Sequence, residues 1–298
     1  MLSRDKDLIT QEGLDSIDDE FEEGVIQALA SLTEIGRGYL SERKELEAEQ
    51  IVTSIKEIGK NAALHGMENA AVNAIRSLEK ILQCSMKQNM EDTAVKVLIS
   101  FGSIGKTAVE QQLETVAKLA ASVLGNSGNT AVLTNKEKEA IAVTIGLGEI
   151  GKAAARVKFS DVSENAAICV SCLGDTGKLA AQKTLEEAAI GAEIMLEEMA
   201  IAAMEENLQS ITGSIAASIE EIGKSAEEEE MENAIFQATS ALQTIVSSAE
   251  NSYLNDASIA AKVALETLNE PDILNSEASI KKIEEIRKMM RVLWTNIK

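Results

Sequence analysis

Three stretches of the chain hold residue types that cradle, coordinate or catalyse. In T-I-G-L-G-E-I-G-K-A-A-A, residues 144–155, Gly146, Gly148 and Gly151 fit the G-x-G-x-x-G spacing of a dinucleotide fingerprint. Gly146 through Lys152 also fit G-x-x-x-x-G-K, where backbone amides and a lysine hold phosphates. Cys169 and Cys172 form C-V-S-C, the spacing of a redox pair or of half a zinc site. His65 is the single imidazole, so any Ser-His or Cys-His nucleophile would rest on it.

Each chemistry makes demands on its surroundings. A phosphate loop follows a strand, opens a helix and carries Ser or Thr after the lysine. Here Ala153 follows Lys152, and E-A-I-A-V-T-I (139–145) precedes it with helical patterning. F-G-S-I-G-K-T (101–107) is a similar decoy, two residues too short. A redox C-x-x-C belongs at a helix start beside a strand, and a structural zinc site needs a second ligand pair. The only other thiol is Cys84, and Cys169 falls at a core position, so small buried hydrophobes are expected. His65 stands in A-L-H-G at a predicted helix end, where a cation complements the helix dipole. E-E-E-E (227–230) reads as an exposed turn, and no run has the alternating oxygen ligands of a calcium loop. The expectation is no catalytic, cofactor-binding or metal residues, and no cofactor.

Composition sets the elements that these residues must ride on. One proline, one tryptophan and few aromatics, with Ala, Glu, Ile, Leu and Lys dominant, predict an all-α chain. A net charge of −21 disfavours nucleic acid and anionic lipid; it serves solubility first, and a basic protein partner is the alternative reading. Three cysteines imply no disulfide framework, which fits a cytoplasmic setting. No apolar run approaches the ~20 residues of a membrane span, and M-L-S-R-D-K-D-L-I-T lacks a signal-peptide core.

Self-comparison gives the architecture. The I-G-K block returns at Ile58, Ile104 and Ile150, 46 residues apart, and a weaker copy appears every 23. Units start at residues 21, 44, 67, 90, 113, 136, 162, 185, 208, 231 and 254, with a further helix near 277. Within each unit apolar residues recur at positions 5, 8, 12, 15, 16 and 19, the stripe of an amphipathic helix. Position 2 is Glu in eight of eleven units and position 17 is Lys or Arg in six, both suited to the helix dipole. Turns are predicted near His65–Gly66, Lys87–Asn89, Glu110–Gln112 and Glu228–Glu230. Short links make neighbouring helices antiparallel, so two units form a 46-residue hairpin. A coiled coil is the competing reading, but 23 is not a multiple of seven.

Position 16 is Gly36, Gly59, Gly105, Gly128, Gly151, Gly177 and Gly223. A glycine inside a helix costs about 1 kcal/mol against alanine. Seven of them imply close backbone approach where stacked helices cross.

With its 46-residue hairpins, alanine-rich face and the L-x-x-I-G-K-x-A block of Leu147–Ala154, the chain resembles HEAT or armadillo-like α-solenoids over residues 21–268. The resemblance implies about six stacked hairpins and a role as a binding scaffold. Residues 1–20 are expected as an acidic extension, mobile or a partial cap, and 21–276 as the solenoid, with a longer loop or a hinge near 156–162. Pro271 marks a break before residues 277–298, an amphipathic helix with Ile283, Ile286, Met290, Leu293 and Ile297 on one side. Lys281, Lys282, Arg287, Lys288 and Arg291 crowd the other side. Residues 270–298 hold six bases against five acids, so the remainder carries −22. This helix is expected to cap the array, the alternative being a partner- or membrane-binding element. The function expected is a non-enzymatic protein-interaction scaffold. The alternative is an accessory or regulatory domain of an enzyme or membrane-associated system, since HEAT-like proteins include cofactor-lyase relatives.

Overall fold

The computed structural model describes residues 2–157, 162–268 and 277–297. Every described element is an α-helix. In chain order they are α1 (Leu2–Asp18), α2 (Glu22–Ser41), α3 (Glu45–Leu64), α4 (Glu68–Gln88), α5 (Glu91–Glu110), α6 (Glu114–Leu133) and α7 (Glu137–Arg156). Then follow α8 (Val162–Gln182), α9 (Glu186–Glu205), α10 (Gln209–Glu228), α11 (Glu232–Asn251), α12 (Asn255–Thr267) and α13 (Glu277–Ile297). Most of these helices begin one residue after the unit start read from the apolar period, and α8 begins on it.

The chain divides into two compact units, residues 1–123 with 297–298, and residues 124–296. In the first, α2 packs on α3 and α4, and α3 on α4 and α5. In the second, α7 packs on α8 and α9, α9 on α11, and α10 on α8 and α12. Within each unit these helices meet their successor and the helix two further on, the pattern of stacked hairpins. The interruption expected near 156–162 falls mostly on residues 158–161, outside the described residues, as does Pro271.

One turn serves almost every link. Glu20, Arg43, Asn89, Gln112, Asn135, Thr184, Asn207, Glu230 and Tyr253 all have φ between 55° and 61°, and Gly66 has φ 72°. The next residue donates its N–H to a carbonyl five residues back, as Lys44 does to Tyr39 (2.9 Å) and Met231 to Ala226 (2.9 Å). This is a Schellman stop, and its last residue also opens the following helix. Left-handed backbone strains residues with a Cβ by about 1–2 kcal/mol. Tyr253→Gly, at an 89% exposed position, is therefore expected to raise the unfolding free energy by about 1 kcal/mol in urea denaturation.

Six of the seven position-16 glycines follow a single rule. A Cβ on Gly59 would lie 2.6 Å from Ala74 Cβ and 2.8 Å from Ile104 Cδ1. One on Gly177 would lie 2.7 Å from Ala192 Cβ and 2.5 Å from Ile222 Cδ1. Gly36, Gly128, Gly151 and Gly223 repeat the geometry against Ile51 and Ile81, Val143 and Thr176, Cys169 and Met199, and Ala238 and Leu268. In each case the neighbours are position 8 of the next helix and position 15 of the one after. The glycine lets both helices close on its backbone.

Of the two expectations for residues 1–20, the packing agrees with a partial cap rather than a mobile extension: α1 packs on α2 and α3, and Ile17 is buried. Gly13 occupies the position-16 place of a shortened unit, its absent Cβ facing Ala28 (3.0 Å) and Ile58 (2.8 Å). The stretch D-S-I-D (15–18) ends α1, and Asp19, Glu20 and Phe21 form the turn into α2.

The position-2 acids do more than complement their own dipole. Glu22 accepts from the Ala70 N–H (3.0 Å), Glu45 from Thr93 (3.2 Å) and Glu137 from Glu187 (3.0 Å), while the Gln209 carbonyl oxygen accepts from Asp256 (3.1 Å). In these four units the position-2 side chain caps the open N-terminus of the helix two units later, where residues such as Met67 and Met90 provide no side-chain cap. Glu45→Ala is expected to cost about 1 kcal/mol, read as faster hydrogen exchange at the Thr93 amide, with Glu45→Gln recovering part of it.

Candidate functional site

The residues with catalytic spacing are absorbed by packing. Gly146, Gly148, Gly151 and Lys152 all lie inside α7, and no strand occurs among the described residues. Met195 of α9 occupies the space a side chain on Gly148 would need, and Met199 does so at Gly151. Lys152 bridges Glu149 (2.5 Å) and Glu198 (2.6 Å). Burial opposes its charge, but the two carboxylates outweigh burial and raise its pKa. Cys169 and Cys172 sit in mid-α8 rather than at a helix start. Burial pushes both thiols up, with Asp175 adding at Cys172, opposite to an activated thiolate. Cys169 packs at the Gly151 seam and Cys172 faces Gly125. His65 is exposed at the end of α3, its Nδ1 2.9 Å from the Asn61 carbonyl.

The side chains that do converge lie where α13 meets α7 and α9. Ile283, Ile286 and Met290 are buried, as their spacing predicts, and Leu293 is half-buried. Met290 lies over Gly191, with its sulfur 3.8 Å from where a Cβ would stand. Lys282 pairs with Glu187, whose carboxylate raises the lysine pKa. Arg287 donates to Glu197 (2.5 Å), which also accepts from Gln237 of α11 (3.1 Å). These pairs span 95 and 90 residues of sequence. A cleft of about 220 Å³ remains beside the helix, lined by Ile145, Ile194, Met195, Met290, Trp294 and the Lys152 carboxylate partners.

Magnitudes rank these contacts. Burying three large apolar side chains contributes roughly 1.5–3 kcal/mol each before ordering costs. The ion pairs are part-exposed, and such pairs contribute about 0–1 kcal/mol. The apolar stripe therefore holds α13, and the charges set its placement.

The α13 stripe was legible in the sequence; its seat was not. Expected as a cap, α13 makes its described contacts with α7 and α9. The available signal was α9 itself. A-A-I-G-A-E-I-M-L-E-E-M-A-I-A-A-M is apolar nearly all round, and such a helix needs cover on more than one side.

Glu193, also in α9, lies fully buried with neither carboxylate oxygen hydrogen-bonded. Burial, reinforced by Glu197 and Glu186, raises its pKa well above the ordinary carboxylate value.

No family model and no curated protein matches the chain. Among solved structures it is similar to a "Circular tandem repeat protein with novel repeat topology and enhanced subunit contact surfaces", with a TM-score of 0.57 and 13% identity over 99% of this chain and 75% of that one. At such identity the likeness concerns fold alone. No described helix is long and apolar enough to cross a membrane. The chain is an all-α tandem-repeat solenoid.

Proposed function

We propose that this protein is a non-enzymatic, HEAT-like scaffold that binds another protein of basic character in the cytoplasm. The observation that carries the reading is α13 on α7 and α9. A helix remote in sequence is held there by an apolar stripe and two ion pairs, so the side of the array has the chemistry to hold a helix. The acidity of the rest of the chain, −22 outside residues 270–298, supports a cationic partner. Affinity capture with the full chain, run beside a metabolite-turnover screen, tests this. The expected result is a protein retained at low salt and released at high salt, with no turnover. Turnover of a small molecule without a retained protein would contradict it and favour the enzyme-accessory alternative.

A further inference from the structure

We propose that the α7–α9 face is a receptor for a basic amphipathic helix of a partner protein, and that α13 is its intramolecular occupant, displaced when the partner binds. The proposal rests on the scaffold reading.

Four observations converge on it. First, residues 270–298 are net positive and the rest of the chain is strongly negative, so the occupant is charge-complementary to its seat. Second, α9 is apolar nearly all round and needs a cover there, whether supplied in cis or in trans. Third, the seat is shaped for a helix: Gly191 leaves room for Met290, and Glu187 and Glu197 stand where cations flank the stripe. Fourth, a cleft of about 220 Å³ lies beside α13, lined by apolar Ile194, Met195 and Trp294 and by charged Glu149, Glu198 and Arg291, so the seat offers an amphipathic helix both kinds of contact.

The occupant specifies its own replacement. Apolar residues at 283, 286 and 290 and cations at 282 and 287 define the pattern. A partner helix carries apolar residues at n, n+3 and n+7, and Lys or Arg at n−1 and n+4. Tethering gives α13 an effective concentration of the order of millimolar, so a partner must bind the bare face more tightly than α13 does.

The test uses the full chain and a fluorescein-labelled peptide with the sequence of residues 277–298. The K282E/R287E chain weakens the cis contact, and Trp294, the only tryptophan, reports its release. The expected result is a red shift of Trp294 emission and at least tenfold tighter peptide binding than to the native chain. A peptide carrying the same two reversals binds poorly to that chain, and the E187K/E197K chain prefers the reversed peptide. Circular dichroism checks folding. If the double variant unfolds, an unlabelled W294F peptide is titrated into the native chain, where a saturable red shift reports displacement. Equal peptide binding to native and variant chains, binding to neither, or no red shift at millimolar peptide overturns the proposal. A basic protein retained by a chain that fails these peptide tests removes the α13 mechanism and leaves the scaffold reading; metabolite turnover without a partner removes the scaffold reading.

Discussion

Gly177→Leu is expected to lower the unfolding free energy by about 2–3 kcal/mol, seen as a drop in urea midpoint and in Tm. A Cβ alone would stand 2.7 Å from Ala192 Cβ and 2.5 Å from Ile222 Cδ1. The isoleucine tip can rotate away, but an alanine Cβ is fixed to its backbone, so α8 and α9 must separate. Overpacking of this kind costs typically 1–3 kcal/mol, occasionally more. Leucine recovers up to about 1 kcal/mol of helix propensity over glycine, which is too little to reverse the sign. The loss spreads beyond one contact because position 16 meets two helices at once. Hydrogen exchange is expected to quicken in α8, α9 and α10 together.

Glu193→Leu is expected to act the other way, raising the unfolding free energy by about 2 kcal/mol at neutral pH. Burying a polar group without a partner costs about 1–3 kcal/mol, and leucine has a similar volume with nothing to desolvate. The pH dependence follows from the raised pKa. The native carboxyl keeps its proton after the unfolded one, with an ordinary value of 4.5, has lost it. The stability associated with that proton is fully present below the unfolded pKa. It falls as pH rises from there to the folded pKa, by up to about 1.4 kcal/mol per pH unit. The gain from Glu193→Leu should therefore be larger at pH 8 than at pH 5 in paired urea titrations. An equal gain at both would place the Glu193 carboxylate in a solvated or paired setting.

The contrast between these two positions shows what was readable in advance. The 23-residue period gave helix boundaries, turns and the glycine seam, because each depends on local spacing repeated many times. Gly177 was legible as a seam residue for that reason, though its two partners were not named. Cys169 was likewise legible as core. What repetition could not reveal were contacts made once. Glu193 stands where Thr144 and Thr239 stand in related units, and nothing in its own stretch says that burial is complete. The seat of α13 depends on pairs more than 80 residues apart, beyond any local pattern. The inter-unit caps fall between these cases. The recurring acid at position 2 was visible, but its use on a helix two units away requires the stack. Residues 1–20 were left between a mobile extension and a partial cap because most of the shortened unit lacks the blocks that mark its neighbours, although Gly13 stands in register.

The most direct test of the account is a pair of alanine substitutions within one compact unit. Gly38 and Gly59 are both helical, in α2 and α3. A Cβ on Gly38 meets nothing within 4 Å, whereas one on Gly59 stands 2.6 Å from Ala74 Cβ. Urea denaturation of the two variants should give opposite signs: Gly38→Ala stabilising by up to about 1 kcal/mol, and Gly59→Ala destabilising by about 1–2 kcal/mol. If both substitutions stabilise the chain, the helices do not close on the position-16 glycine, and the stacking rule is wrong.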